Sequence, residues 1–180
     1  ALAQPSATAV GESTVPGAGL GLFASEPLFE GQPLGYYPGR VYASAKEFMI
    51  AKGQRVPDSM DYVWTTDDGK VIDPTGKDGR LPEVLSSWPL GIWSVDTRLA
   101  RINEPPLGGD VNVYTEEDGR GVVFIAERDI RIGEELFMDY GTSYSRADYG
   151  GHGNPPSGNP GDPLGLGKSN DDGRNFPGFK

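Results

Sequence analysis

Short runs of apolar residues, separated by turn residues, make up much of the first part of the chain. Apolar residues cluster at positions 22–24, 34–37 and 41–42. Turn residues stand between them, at positions 30–32 and 38–39. Runs of this length, bounded by Gly and Pro, are typical of β-strands joined by tight turns. The pattern therefore predicts a series of short strands.

One short helix is predicted after these strands. Ser44 is a typical N-cap residue, and Gly53 is typical of the position just after a helix, so that together they predict a helix over Ala45–Lys52. Beyond it, residues 62–65 and 70–73 form two further predicted strands, which an Asp-Gly turn joins as a hairpin.

The pattern continues in short strands further along the chain. Residues 75–96 show no clear period and are predicted to be irregular. Residues 111–115 and 121–126 are predicted to form a hairpin, and residues 130–138 are predicted to carry a turn at Gly133 into a final strand. Frequent turns, many short strands and little helix together predict a mainly β fold with short helices.

The composition changes at both ends of the chain. Residues 1–12 are predicted to be a flexible lead, residues 13–149 a folded domain and residues 150–180 a tail. The tail is rich in Gly and Pro and has few large apolar side chains to anchor it. With 36% hydrophobic residues, 27 Gly and 16 Pro, the 180 residues suit one core with many loops.

Composition also excludes several kinds of site. The chain has no cysteine, which excludes a disulfide, a thiolate-bound zinc and a cysteine nucleophile. Its single histidine, His152, lies among glycines in the predicted tail, so we expect no histidine-based triad or metal site. No apolar run is long enough for a membrane span, so no membrane partner is expected.

The net charge of −10 bears on the choice of partner. An acidic surface repels a phosphate backbone, so direct binding to nucleic acid is not expected. The same surface attracts cationic peptides. Acidity also serves solubility alone, and it therefore permits a basic partner without establishing one.

A glycine-rich turn occupies positions 17–21, which read Gly-Ala-Gly-Leu-Gly. A backbone without bulky side chains lets a ligand approach closely, but the same residues also suit a plain turn. A phosphate-binding loop needs a helix after it and a Gly-Lys-Ser/Thr sequence, whereas this turn leads into a predicted strand. These residues alone leave the ligand cradle and the plain turn open.

Two later segments give the turn its meaning. Residues 100–103 read Ala-Arg-Ile-Asn, and residues 133–141 read Gly-Glu-Glu-Leu-Phe-Met-Asp-Tyr-Gly. In this order, and with residues 17–24 before them, they resemble the SET domain of protein lysine methyltransferases. The resemblance covers residues 13–145, and its last motif is the most specific.

The resemblance implies a β-clip fold of small sheets with a C-terminal pseudoknot. It also implies transfer of a methyl group from S-adenosylmethionine to a lysine of a protein, of which a histone tail is one candidate. The cofactor and the lysine would enter from opposite faces. The nucleus is the first expectation for the compartment, with the cytoplasm or an organelle left open.

The resemblance also assigns roles to single residues. Tyr140 is the expected catalytic tyrosine, which also contacts the cofactor. The residues expected to line the lysine channel are Tyr37, Tyr114 and Tyr144. The residues expected to hold the cofactor, through backbone groups or through the asparagine amide, are Ala18, Gly19, Leu20 and Asn103. The acid pair at positions 134 and 135 is expected to form a turn and strand start, without acid–base chemistry.

The sequence departs from the family in two places. Glu104 stands where the family has a histidine, which affects the surroundings of the cofactor. Without cysteines, the zinc-bound modules that flank many family members have no counterpart. These departures keep two alternatives open, a noncatalytic SET-like module that binds a peptide and a purely structural domain.

Overall fold

The computed structural model describes residues 7–86, 94–106 and 108–141. The chain divides into two compact units, Ala1–Asp139 and Tyr140–Lys180. Tyr140 and Gly141 are the described residues of the second unit. All the elements below belong to the first unit.

The regular elements are short. The described strands, in chain order, are β1 (Thr8–Glu12), β2 (Leu20–Ala24), β3 (Pro33–Tyr36), β4 (Arg40–Tyr42), β5 (Trp64–Thr65), β6 (Val71–Asp73), β7 (Val84–Ser86), β8 (Ser94–Asp96), β9 (Val113–Asp118) and β10 (Gly121–Ala126). The described helical segments are α1 (Ala45–Lys52), α2 (Val56–Ser59) and the 3₁₀ turns Gly53–Arg55, Met60–Tyr62 and Arg98–Arg101.

These strands pair into small antiparallel sheets. β1 pairs with β2, and β7 pairs with β8. Two three-stranded sheets have the orders β3-β10-β9 and β4-β6-β5. The prediction of a mainly β fold with short helices is confirmed. The C-terminal pseudoknot stays a prediction.

The core lies around β10, the central strand of its sheet. Residues 122–126 are all buried, and Phe124 is completely so. Leu22 from β2 and Leu136 from the C-terminal part of the unit are also fully buried. Each such side chain contributes about 1.5–3 kcal/mol when it leaves water. This core fixes β2 and the residues around Leu136, which carry the site described below.

The predicted helix is confirmed with both of its ends. The Ser44 hydroxyl accepts a hydrogen bond from the Glu47 N–H at 3.3 Å, which satisfies one of the donors that a helix start leaves open. Gly53 ends the helix at φ 55°, a conformation that favours glycine. Phe48 is the buried residue of the helix, and its ring meets the ring of Tyr42 edge to face at 5.6 Å.

A buried ion pair ties α1 to β6. Lys52 Nζ lies 2.8 Å from Asp73 Oδ2, and the two side chains are only 6% and 1% exposed. Lys52 Nζ also donates to Thr75 Oγ1 at 2.6 Å. The predicted turn at Gly39 packs against this strand, since a Cβ there would lie 2.6 Å from the Asp73 carbonyl carbon. Glycine is therefore required at that position by close backbone contact.

The prediction of an unstructured lead is wrong for Thr8–Glu12, which form β1. Thr8 pairs with Ala24 at one end of the ladder, and its carbonyl accepts a hydrogen bond from Arg98 Nη1 at 2.8 Å. Pairing to an existing strand orders a segment whose own sequence is not strongly apolar. Residues 1–6 lie outside the described residues.

Other boundaries differ from the prediction because tertiary pairing decides them. The stretch predicted as irregular contains the antiparallel strands β7 and β8. Strand β9 reaches Asp118, so the turn to β10 is shorter than predicted. Residues 130–138 form isolated bridges instead of a strand, one of which joins Phe23 to Glu135. Tyr62 ends a 3₁₀ turn and lies outside β5.

No helix in the described ranges is long and apolar enough to cross a membrane.

Candidate functional site

The glycine-rich loop (residues 13–21) is closed on itself by backbone hydrogen bonds. Ser13 N–H donates to the Gly19 carbonyl at 2.8 Å, and Ala18 N–H donates to the Val15 carbonyl at 3.1 Å. Gly17 and Gly19 have φ values of 83° and 73°. A Cβ added at either glycine would meet no atom within 4 Å, so the loop borders open space at both positions. Such a loop suits a ligand that contacts backbone closely.

The side chain of Glu135 holds this loop from outside. Its Oε1 accepts a hydrogen bond from Ser13 Oγ at 2.7 Å. Its Oε2 accepts from both Thr14 N–H at 2.7 Å and Thr14 Oγ1 at 2.5 Å. The Glu135 residue is only 4% exposed. A buried carboxylate is tolerated because these donors replace water.

The electrostatics agree with an ionised Glu135. Burial raises the pKa of its carboxyl, but the hydrogen bonds from Thr14 and Ser13 outweigh burial. The net pKa lies below its ordinary value of 4.5. The carboxylate is therefore charged at neutral pH and acts as an acceptor for the loop.

Gly21 makes room for that carboxylate. A Cβ at this position would lie 2.1 Å from Glu135 Oε1 and 2.9 Å from Glu135 Cδ, which is far inside contact distance. Glycine is therefore required at position 21 because the Glu135 side chain packs against it, whereas Gly17 and Gly19 border open space.

Asn103 connects the same carboxylate to the other end of the loop. Its Nδ2 lies 3.1 Å from Ser13 Oγ, 3.1 Å from the Leu20 carbonyl and 3.3 Å from Glu135 Oε1. An amide nitrogen carries two hydrogens, so these acceptors satisfy it within the protein. Cofactor binding through this amide stays a prediction, and the observed role of the amide nitrogen is to fix the loop.

The C-terminal segment (residues 133–138) is held along its length. Leu136 N–H donates to the Leu22 carbonyl of β2 at 2.7 Å, and Met138 N–H donates to the Asn103 carbonyl at 3.0 Å. Asn112 is 1% exposed and donates from Nδ2 to the Glu135 carbonyl at 2.8 Å. The segment therefore brings Glu135 to the glycine-rich loop with little freedom.

Tyr37 belongs to an aromatic cluster (Tyr37, Trp64 and Phe124). Ring centroids lie 5.4 Å apart between Tyr37 and Trp64, and 5.7 Å apart between Tyr37 and Phe124. The Tyr37 hydroxyl donates to the Tyr62 carbonyl at 2.5 Å. Packing and this hydrogen bond fix the ring of Tyr37, which is half-buried. The cluster provides an apolar wall with a polar edge.

Tyr62 is one of the residues that line a surface cleft of about 570 Å³. Three carboxylates and three guanidinium groups line it, namely Asp58, Asp61, Asp78, Arg55, Arg80 and Arg101. Arg55 is paired with Asp58 at 3.2 Å. The cleft thus presents positively and negatively charged side chains next to Tyr62, whose carbonyl accepts the hydrogen bond from Tyr37.

The predicted site residues lie in three places: at the glycine-rich loop, elsewhere in the first unit, and in or beyond the described part of the second unit. Asn103 and Leu20 are brought together by a hydrogen bond. Tyr37 lies in its aromatic cluster, whereas Tyr114 is 38% exposed on β9. Tyr140 belongs to the second unit, and Tyr144, like His152, lies outside the described residues. Their assigned roles stay predictions.

Sequence reasoning missed the part that Glu135, Ser13, Thr14 and Asn112 play in holding the loop and the C-terminal segment. The available signal was a pair of hydroxyl residues, Ser13 and Thr14, a few positions before the glycine-rich turn. The long separation in sequence between residues 14 and 135 hid that partner. Within the described ranges, no group of His, Cys, Asp or Glu side chains is arranged to bind a metal ion.

A comparison with protein families gives a match that covers most of the residues described above. Residues 19–141 match the family model of the SET domain, which is more than half of the chain. The chain belongs to the SET domain family. The resemblance drawn from the sequence is thereby confirmed. In this SET domain, the matched range contains the end of the glycine-rich loop (residues 19–21), Asn103, the C-terminal segment and Tyr140.

Solved structures similar to this SET domain include chains of polycomb repressive complex 2. One, from Chaetomium thermophilum, is in an autoinhibited conformation bound to S-adenosylmethionine; it is 26% identical, with a TM-score of 0.53 over 75% of this chain and 15% of that chain. Another is an active complex in the stimulated state, 26% identical, with a TM-score of 0.55 over 78% of this chain and 16% of that chain. This SET domain thus spans a small part of those proteins.

A more distant structure is the methyltransferase domain of human PR domain-containing protein 2. It is 19% identical, with a TM-score of 0.49 over 75% of this chain and 77% of that chain, a likeness too low to carry an argument. A comparison with curated proteins finds no match.

Proposed function

We propose that this SET domain is an S-adenosylmethionine-dependent methyltransferase that acts on a lysine of a protein. The observation that carries the proposal is the match over residues 19–141, which begins at Gly19 in the glycine-rich loop and continues to Tyr140. A similar solved structure bound to S-adenosylmethionine supports the choice of cofactor.

The glycine-rich loop fits such a cofactor. The open space beside Gly17 and Gly19 leaves room for a ligand where other residues would place side chains. Backbone groups of Ala18, Gly19 and Leu20 would hold it there. When bound, S-adenosylmethionine supplies a methyl group on a positively charged sulfur.

The protein's own residues would then prepare the lysine. A free lysine amine has a pKa of about 10.4 and is almost fully protonated at neutral pH. The apolar wall of Tyr37, Trp64 and Phe124 would disfavour the charged form by desolvation. The hydroxyl of Tyr140 would orient the neutral amine, and alignment of the reacting atoms supplies much of the rate.

The substrate class is a cationic, lysine-bearing segment of a protein, with a histone tail as the first candidate. The net charge of −10 favours the approach of such a segment. The similar polycomb structures point in the same direction, and the nucleus is the compartment we propose with this substrate.

A noncatalytic peptide-binding module is the second candidate. Two observations favour it. The amide nitrogen of Asn103 is satisfied within the protein, and Glu104 adds a buried acid next to it in place of the family's histidine. In that case the protein would bind a basic peptide without turnover.

Incubation with labelled S-adenosylmethionine and a mixture of histones and cell extract tests the proposal. We expect label on lysine, abolished by Tyr140→Phe. A matched control is Tyr36→Phe, which removes a hydroxyl bonded to the exposed Asp118 at 2.6 Å. Absence of both transfer and calorimetric cofactor binding in the wild type would contradict the enzyme and favour the peptide-binding module.

A further inference from the structure

Both ends of the glycine-rich loop are held by one pair of buried side chains. Glu135 binds Ser13 and Thr14 where the loop begins, and Asn103 binds the Leu20 carbonyl where it ends. The two side chains also contact each other at 3.3 Å. We propose that Glu135 is a positioning residue, which sets the shape of the loop for the cofactor. The inference rests on the proposed function.

The partners of Glu135 support this role. Apart from Asn103, every hydrogen bond that its carboxylate makes within the described part of the chain goes to the loop, through two hydroxyl groups and one backbone N–H. A carboxylate placed only to fill the core would gain nothing over an apolar side chain, since its burial costs free energy. The cost is offset by donors that lie in the loop.

The loop needs such an anchor because its own bonds are few. The backbone bonds of Ser13 and Ala18 close the turn, but Gly17 and Gly19 have a wide conformational range. Without the carboxylate, the loop would populate several shapes. A ligand that requires one of them would bind more weakly in proportion to its reduced population.

The Ser13 hydroxyl extends this effect into the loop. It donates to Glu135 Oε1 at 2.7 Å and accepts from Val15 N–H at 3.1 Å. Val15 is buried, so the chain from Glu135 through Ser13 fixes the first turn of the loop. The role is indirect, because Glu135 itself is covered and would act on the cofactor through backbone.

Glu135→Gln is the informative substitution, because it keeps size and removes charge. An amide can accept through one oxygen only, so its NH₂ group would face either the Thr14 N–H or the Ser13 hydroxyl. The matched control is Glu134→Gln, the same change one residue earlier. Glu134 pairs with Arg128 at 2.6 Å and makes no hydrogen bond to the loop among the described residues.

Calorimetry with S-adenosylmethionine should show a dissociation constant about tenfold higher for Glu135→Gln, which corresponds to the loss of about one charged hydrogen bond. Glu134→Gln should stay within about twofold of wild type. With saturating cofactor, kcat of Glu135→Gln should change by less than about twofold, because the defect lies in binding. Hydrogen exchange of the Thr14 and Val15 amides should be faster in Glu135→Gln alone.

A milder variant, Thr14→Val, removes one donor and keeps the carboxylate, so it serves if Glu135→Gln does not fold. Its dissociation constant should rise by about threefold. Equal cofactor affinity in wild type, Glu135→Gln and Thr14→Val would overturn the inference while leaving the proposed function intact. Equal losses for Glu134→Gln and Glu135→Gln would overturn it as well. Failure of the wild type to bind S-adenosylmethionine would instead overturn the proposed function.

Discussion

Asn112 and Phe137 are hydrogen-bonded in both directions. The Asn112 Oδ1 accepts from the Phe137 N–H at 2.8 Å, and the Phe137 carbonyl accepts from the Asn112 N–H at 3.0 Å. With its Nδ2, Asn112 also donates to the Glu135 carbonyl at 2.8 Å. One buried asparagine therefore clamps the C-terminal segment on both sides of Leu136.

Asn112→Ala should destabilise the protein strongly. It removes the acceptor of the half-buried Phe137 N–H and the donor to the buried Glu135 carbonyl, and both groups would lose these bonds. We expect a loss of about 2–4 kcal/mol in the free energy of unfolding, measured with urea. The exposed amide Gln54 gives a control, since Gln54→Ala should cost less than about 0.5 kcal/mol. A similar small cost at Asn112 would show that the clamp is unimportant.

Gly21 and Glu135 should be coupled. Gly21→Ala places a Cβ 2.1 Å from Glu135 Oε1, which must then leave its donors. We expect a loss of about 2 kcal/mol or more from wild type. In a Glu135→Ala background the same change should cost less than about 1 kcal/mol, because the carboxylate is gone and the nearest remaining atom, Asn103 Nδ2, lies 3.2 Å from the new Cβ. Gly119→Ala, which would meet no atom within 4 Å, is the control. Additive effects of the two substitutions would contradict the coupling.

Local chemistry explains which elements the sequence predicts well. Helix Ala45–Lys52 begins and ends at residues that act on their own neighbours, Ser44 and Gly53. The Pro-Gly pair at positions 38–39 also signals its turn locally, although the contact with Asp73 that requires glycine there is not local. Strand Thr8–Glu12 depends on pairing with β2, so its weak apolar pattern gave no signal.

The candidate site follows the same rule. Asn103 and the glycine-rich turn could be found from the sequence because both belong to motifs that resemble those of the SET domain. The partnership of Glu135 with Thr14 joins residues far apart in sequence, and no local pattern reports which acid faces inward. Glu134 and Glu135 look equivalent in the sequence, yet one pairs with Arg128 near the surface and the other is 4% exposed.

The buried ion pair of Lys52 and Asp73 should tolerate joint replacement better than loss of one partner. Lys52→Met leaves the Asp73 carboxylate buried without its cation, which should cost about 3–5 kcal/mol. The double variant Lys52→Met/Asp73→Asn should recover part of that loss, because no unpaired charge remains. Urea unfolding of the variants measures both effects. A double variant no more stable than Lys52→Met would contradict this account.

Glu135 should also shape stability at acid pH. Its folded-state pKa is depressed below 4.5, so its contribution is complete above that pH and is lost as the pH falls through the folded pKa. The free energy of unfolding should therefore fall more steeply below pH 4.5 in wild type than in Glu135→Gln. Asp68 and Asp118, whose pKa values are lowered to about 2, contribute equally to both proteins and cancel. If the free energy of unfolding fell equally with pH in both proteins, the hydrogen bonds to the Glu135 carboxylate would not contribute to stability.

Tyr37→Phe tests whether the aromatic cluster serves the substrate. The change removes the hydroxyl that donates to the Tyr62 carbonyl at 2.5 Å and keeps the ring that packs on Trp64. Stability should fall by about 0.5–1.5 kcal/mol. If the cluster lines the lysine channel, KM for the protein substrate should rise several-fold, while the dissociation constant of S-adenosylmethionine stays at its wild-type value, because the glycine-rich loop is untouched. Steady-state kinetics with Tyr36→Phe as the matched control separate these effects. A rise in the dissociation constant of S-adenosylmethionine without any change in the KM for the protein substrate would place Tyr37 outside the channel.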